Sequence, residues 1–183
     1  MKINFTRLKS SSPDFKKIKQ LYVRAFPDEE RAPFLMLVLK SRKEGVDFWS
    51  VRCDGEWVGM LYIVSYADLS YVFYLAVSEE HRGRGIGSAI LRAARHHYKN
   101  RRLFLAIEQT DTDAENQEQR LERKNFYIRN GFEELHKKLR EGNVVYEILG
   151  SGGDVSAKDY KELMHSYAGS ILSKLFTMEF VDL

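Results

Sequence analysis

Apolar and polar residues alternate along KINFTRL, near the start of the chain, with the period-two pattern of a strand. The period then lengthens. In SSPDFKKIKQLYVRAF, Phe15, Ile18, Tyr22 and Ala25 or Phe26 share one helical face, with Ser12 placed to cap and Pro13 suited to the first turn. Pro27 ends that helix, and DEERAPFLMLVLKSRKEG reads as a loop and a second short helix, terminated by Gly45. Asp54-Gly55 joins FWSVRC to EWVGMLYIVS, a hairpin signal between two antiparallel strands. SYVFYLAV, from Ser70 to Val77, is aromatic and branched enough for a central strand.

After a glycine cluster, Ile86, Ile90, Ala93 or Ala94 and His97 recur at helical spacing, which predicts a helix from about Gly85 to Tyr98. RRLFLAIEQ is the next buried strand, and the polar TDTDAENQEQ leads into a helix that stops at Asn130-Gly131. FEELHKKL and VVYEIL close the sheet, separated by Glu141-Gly142-Asn143. Beyond GSGGD, Ser156 with Asp159 predicts a capping box, and Tyr160, Leu163 or Met164, Tyr167, Ile171 and Leu175 form one apolar stripe interrupted by Gly169. This order predicts an α/β fold: a mixed, mostly antiparallel sheet of six to seven strands with helices on both faces, plus an extra C-terminal helix. Residues 1–149 read as one domain, and 150–183 as a helical extension packing on it or on a partner.

Composition adds few constraints. With 183 residues, 44% of them apolar, the chain can bury a core without metal or disulfide help. Lys and Arg number 29 against 26 Asp and Glu, an excess too small to argue for nucleic acid. The single cysteine, Cys53, cannot form an internal disulfide, so a cytoplasmic location is expected. Neither a signal peptide nor a membrane span is read in the sequence.

The glycine cluster is the chemical centre of interest. VSEEHRGRGIG, from Val77 to Gly87, places three glycines in five residues where a strand gives way to a helix. Free N–H groups and the dipole at a helix start attract an anion, and Gly83, Gly85 and Gly87 let a diphosphate approach them closely. Arg82 and Arg84 can add charge-assisted bonds at the rim. A Walker loop is not supported, because the stretch ends Gly87-Ser88-Ala89. A dinucleotide fold would place its glycine loop near the first strand, whereas this one follows an antiparallel hairpin. A plain solvated turn is the other reading of the same residues.

VSEEHRGRGIGSAIL resembles the coenzyme A signature of the GCN5-related N-acetyltransferases (GNATs), Arg-x-x-Gly-x-Gly, through Arg82, Gly85 and Gly87. NFYIRNGFEEL is similar to a second segment of that family through Phe126, Tyr127, Gly131 and Phe132. The resemblance covers roughly residues 1–149 and implies the GNAT fold, in which the strand before the glycine loop parts from its neighbour. It implies acetyl-CoA as cosubstrate, bound by the backbone of Leu75, Ala76 and Val77 along the pantetheine and by Arg82, Gly83, Arg84, Gly85, Ile86, Gly87 and Ser88 around the diphosphate. Many members carry an Asn seven residues before the tyrosine, where this chain has Arg120, with Asn116 four residues earlier.

The activity implied is direct transfer of an acetyl group to a primary amine of a small molecule or peptide. Such transfer needs a neutral amine, a stabilised oxyanion and a proton for the departing thiolate. The Val77 N–H could hold the carbonyl oxygen. By the resemblance Tyr127 is the general acid; without it, a tyrosine in an aromatic helix segment reads as packing. Glu108, after the apolar LFLAI, is open to three roles: base, anchor for a substrate ammonium, or plain ion pair. Deprotonation through water is a further route. An acetyl-cysteine intermediate on Cys53 is not expected, because Cys53 lies beside a hairpin turn.

If the segments carrying Glu108, Asp111, Asp113, Glu115 and Glu118 and Asp28, Glu29 and Glu30 line the acceptor side, they would attract a cationic amine; solvated acidic loops are the alternative. Arg92, Arg95, Lys99, Arg101 and Arg102 form a basic patch, but aromatic residues for base stacking are few, so no nucleic-acid partner is expected. No metal is expected either, since His96 and His97 point in different directions on a helix. A monomer or a homodimer is expected. The rival class is a coenzyme-binding interaction module of the same fold without catalysis.

Overall fold

The computed structural model describes all residues except 111–113, 115, 142–143, 170–177 and 183. In chain order the elements are β1 (Ile3–Arg7), α1 (Phe15–Ala25), α2 (Phe34–Lys40), β2 (Val46–Cys53), β3 (Glu56–Tyr66), β4 (Leu69–Val77) and α3 (Ile86–His97). They continue with β5 (Arg102–Glu108), α4 (Gln117–Arg129), β6 (Glu133–Glu141), β7 (Val144–Ser151), α5 (Ala157–Ala168) and β8 (Met178–Asp182). The strand order is β1-β2-β3-β4-β5-β7-β6-β8, with a parallel β4–β5 pair among antiparallel ones.

The mixed, mostly antiparallel α/β sheet expected from the pattern is present, with one strand beyond the six to seven expected. That strand is β8, which pairs along β6 from Lys137↔Asp182 to Glu141↔Met178. It takes up the N–H and C=O groups that an edge strand leaves unpaired. The predicted C-terminal helix is α5, and it ends at Gly169, whose φ of 80° suits a glycine helix stop. Ile171 and Leu175 of the expected stripe lie outside the described residues.

Two compact units divide the chain: Met1–Val64 with Val72–His97, and Ser65–Tyr71 with Tyr98–Leu183. In the first, β2 organises the core. Phe48 and Trp49 are neighbours on a strand and so face opposite sides. Phe34 of α2 meets Phe48 at 5.7 Å and Tyr22 of α1 at 5.7 Å, while His97 of α3 meets Trp49 at 5.6 Å. Helices therefore cover both faces of this unit, as the element order predicts.

Helix α1 starts later than the Ser12 cap predicts. Asp14 holds the cap position but makes no capping bond, because its carboxylate accepts from Ser50 Oγ at 2.9 Å and from Arg52 Nη2 at 2.8 and 2.9 Å. Ser12 Oγ instead accepts from the Lys9 N–H at 2.9 Å. A buried carboxylate needs such partners more than a helix end needs a cap. The Asp54-Gly55 hairpin forms as predicted, with φ of 50° and 91° at its two central residues.

In the second unit Phe104 of β5 stacks on Tyr71 at 4.4 Å and meets Tyr160 of α5 at 6.1 Å. The opposite face is met by α4, whose Lys124 reaches Glu147 opposite Ile107, three residues along from Phe104. The Ser156–Asp159 capping box forms, and Arg102 ties α5 down by bonding Asp159 at 3.0 Å and Asp68 at 2.8 Å. Arg102 is thereby drawn out of the basic patch in which the sequence reading placed it.

Candidate active site

Strand β4 delivers the chain to the glycine turn. Ser78 N donates to Val58 O at 2.9 Å, so the N–H and C=O of even-numbered residues there face β3. Alternation turns those of Leu75 and Val77 to the other edge, where the Val77 carbonyl accepts from Arg82 Nε at 3.1 Å. Ala76 lies against Gly59: a Cβ on Gly59 would sit 2.2 Å from the Ala76 oxygen. Gly59 was not singled out from the sequence, although a glycine inside EWVGMLYIVS is the usual sign of a close backbone approach.

A short 3-10 turn, Glu79–His81, follows. His81 is 6% exposed, its Nδ1 lies 2.7 Å from Ser78 Oγ, and its Nε2 lies 3.3 Å from Glu56 Oε1. This link ties the entry of the turn to β3, and no local pattern in the sequence announces it. Gly83 and Gly85 then take φ of 73° and 75°, the left-handed region that disfavours side chains. A Cβ at Gly83 would meet nothing within 4 Å, and one at Gly85 only Met1 Cε at 3.7 Å.

Arg82, Gly83, Arg84 and Gly85 are exposed, while Ile86 is buried and Gly87 and Ser88 are half-buried at the first turn of α3. Ala89 is the first donor of the helical ladder, to Gly85 O at 3.0 Å. The N–H groups of the first turn of α3 have no acceptor inside the helix. Helix-start N–H groups, two guanidinium groups and the positive end of a twelve-residue helix thus meet beside an exposed turn at 82–85. The arrangement suits a diphosphate, which approaches where no Cβ stands in the way.

Tyr127 and Glu108 belong to the second unit. Tyr127, half-buried on α4, packs its ring 5.8 Å from Phe132 at the foot of β6. Burial pushes its hydroxyl above the ordinary tyrosine range, against a smaller opposing pull from Arg123, so the group holds its proton at neutral pH. Glu108 ends β5 with both carboxylate oxygens engaged: Oε1 by Arg120 Nη2 at 2.8 Å and Oε2 by Arg123 Nη1 at 3.1 Å. Both oxygens are thus ion-paired to α4. Arg120 also donates from Nε to Asn116 Oδ1 at 2.8 Å and from Nη1 to Gln109 O at 3.0 Å.

Asp111, Asp113 and Glu115 of the acidic segment lie outside the described residues, and Asp28 pairs with Arg31. Cys53 is buried at the end of β2, where burial first and Asp54 second push its thiol up and away from the reactive thiolate. Among the described residues, no group of three His, Cys, Asp or Glu could hold a metal, and no helix is long and apolar enough to cross a membrane.

Residues 44–134 match the family described as acetyltransferase (GNAT) domain. The chain belongs to the GNAT acetyltransferase family. The GNAT match takes in Arg82, Gly85, Gly87, Glu108 and Tyr127, and leaves α5 and β8 beyond it. The fold is that of the family. A GNAT-family protein from Bacteroides thetaiotaomicron aligns at 21% identity over 91% of this chain and 97% of its own, with a TM-score of 0.70. The ribosomal-protein-S18-alanine N-acetyltransferase of Escherichia coli aligns at 16% identity over 86% of this chain and 98% of its own, TM-score 0.60. An aminoglycoside 6′-N-acetyltransferase complexed with coenzyme A aligns at 15% identity over 82% of this chain and 96% of its own, TM-score 0.62. No curated protein matches this chain in sequence.

Proposed function

We propose that this GNAT protein moves an acetyl group from acetyl-CoA to a primary amine of a small molecule or peptide, by direct transfer in a ternary complex. The observation that carries the reading is the exposed turn at 82–85, shaped by the positive φ of Gly83 and Gly85, carrying Arg82 and Arg84 and opening directly into the first turn of α3. Those residues with Ile86, Gly87 and Ser88 would hold the diphosphate, and the outward N–H and C=O groups of Leu75 the pantetheine amides. When bound, the thioester supplies the activated acetyl group.

The chain's own residues supply the rest. The Val77 N–H is the donor for the carbonyl oxygen as it gains charge. Tyr127, protonated at neutral pH, gives its proton to the coenzyme sulfur as the C–S bond breaks and the C–N bond forms. The amine loses its own proton to water, because both oxygens of Glu108 are held by arginines. An amine acceptor agrees with a structural neighbour named for acetylating an aminoglycoside. Thiol release from acetyl-CoA across a panel of mono-amines, polyamines and peptides tests the proposal. Turnover of one class by the native protein, lost in Tyr127→Phe, supports it. Coenzyme binding with no turnover on any class favours the interaction module instead.

A further inference from the structure

Helix α4 is attached differently from the other long helices. Helix α3 buries Ile86, Ala89, Ile90, Leu91 and Ala94, and α5 buries five residues, whereas none of the thirteen residues of α4 is fully buried. What α4 has instead is a face of cations. Arg120, Arg123 and Lys124 stand at i, i+3 and i+4, and Tyr127 continues the same face one turn on. Each cation meets a carboxylate from the sheet. Arg120 and Arg123 grip Glu108 at the end of β5, and Lys124 Nζ lies 2.7 Å from Glu147 Oε2 on β7 and 2.8 Å from Glu134 Oε2 on β6.

The clamp is built to hold its shape. The side chains of Glu108, Lys124 and Glu147 are 17%, 15% and 14% exposed, so water competes weakly for them. Glu147 is itself fixed, since its Oε1 accepts from both the N–H and the hydroxyl of Thr110 at 2.7 Å. Three strands are thereby tied to one helix face through charge.

We propose that Glu108 is a positioning residue: with Glu134 and Glu147 it holds α4 through Arg120, Arg123 and Lys124, and this ion-pair clamp sets where Tyr127 stands. The claim rests on the reading of Tyr127 as the acid. Its structural half is measurable without turnover, so the two can fail separately. A carboxylate saturated by two guanidinium groups is poorly placed to take a proton from an amine, and well placed to fix the helix that carries the acid.

The first test is amide hydrogen exchange on the native protein and on Lys124→Gln, which removes the charge that pairs with Glu134 and Glu147. Amides of 117–129 are expected to exchange at least several-fold faster in the variant, while those of α3 stay unchanged. Equal response of both helices, or none, would overturn the clamp. The second test combines Glu108→Gln with Arg120→Gln plus Arg123→Gln. Each set should lower kcat about tenfold, leave KM for acetyl-CoA within about twofold and keep the shape of the pH–rate profile. The combination should cost no more than either alone, as coupled partners do. If Glu108→Gln removes the acidic limb of the profile while the arginine variants keep or raise kcat, Glu108 is the base and the proposal fails.

Discussion

Gly59 on β3 and Ala76 on β4 approach so closely that a methyl group on Gly59 would lie 2.2 Å from the Ala76 oxygen. Ala76 sits between the two residues whose backbone faces the proposed pantetheine path, so this contact couples strand packing to the site. Backbone cannot yield as a flexible side chain can. Gly59→Ala is expected to destabilise the protein by about 1–3 kcal/mol, the usual cost of overpacking. Acetyl-CoA affinity should fall with it, and thermal unfolding with and without coenzyme would measure both.

The diphosphate cradle makes a sharper prediction. Gly85 has φ of 75°, so any side chain there costs roughly 1–2 kcal/mol in backbone strain. Gly85→Asp adds a negative charge among donors meant for phosphate. Calorimetric titration with coenzyme A should detect no binding in this variant, and a weakened but measurable affinity in Gly85→Ala. Unchanged heats in Gly85→Asp would remove the diphosphate from this turn.

Tyr127 should reveal itself in rate and not in affinity. Tyr127→Phe removes the proton donor and is expected to lower kcat by roughly 100-fold, with coenzyme binding unaltered. Because burial raises the hydroxyl above the ordinary tyrosine value of about 10, the donor stays protonated through the neutral and mildly alkaline range. The native rate should therefore show no loss from this group below about pH 10. The same shift keeps its contribution to stability intact below that value, and that contribution is lost as pH rises further.

At the other end of the scale, Arg102 holds Asp68 and Asp159 below the ordinary aspartate range by hydrogen bonding, and Lys137 does the same for Asp154. Depressed carboxylates contribute stability above about pH 3.9 and lose it as pH falls through their folded values. The melting temperature of the native protein should drop steeply below about pH 4. Arg102→Gln should start lower at pH 7 and fall less steeply in acid. Parallel curves for the two proteins would show that Arg102 carries no such linkage.

Features built from contiguous residues were legible in the chain itself. The Asp54-Gly55 hairpin, the Ser156–Asp159 cap, the helix stop at Gly131 and the glycine turn at 83–87 each depend on backbone preferences within a few positions. So did the order of strands and helices, because periodicity of two or 3.6 residues is a local property. What tertiary structure decided lies between distant residues. Asp14 forgoes its helix cap because Arg52 and Ser50 arrive from β2, and Arg102 leaves the basic patch for Asp68 and Asp159. Residues 178–182 become a strand because the edge of β6 offers a ladder. Glu108 reads from its own neighbours in sequence as base, anchor or ion pair, and the arginines that close on it, Arg120 and Arg123, come from another element, α4. A charged side chain takes its role from the partner that desolvation forces upon it, and that partner is chosen in space, at separations no local pattern encodes.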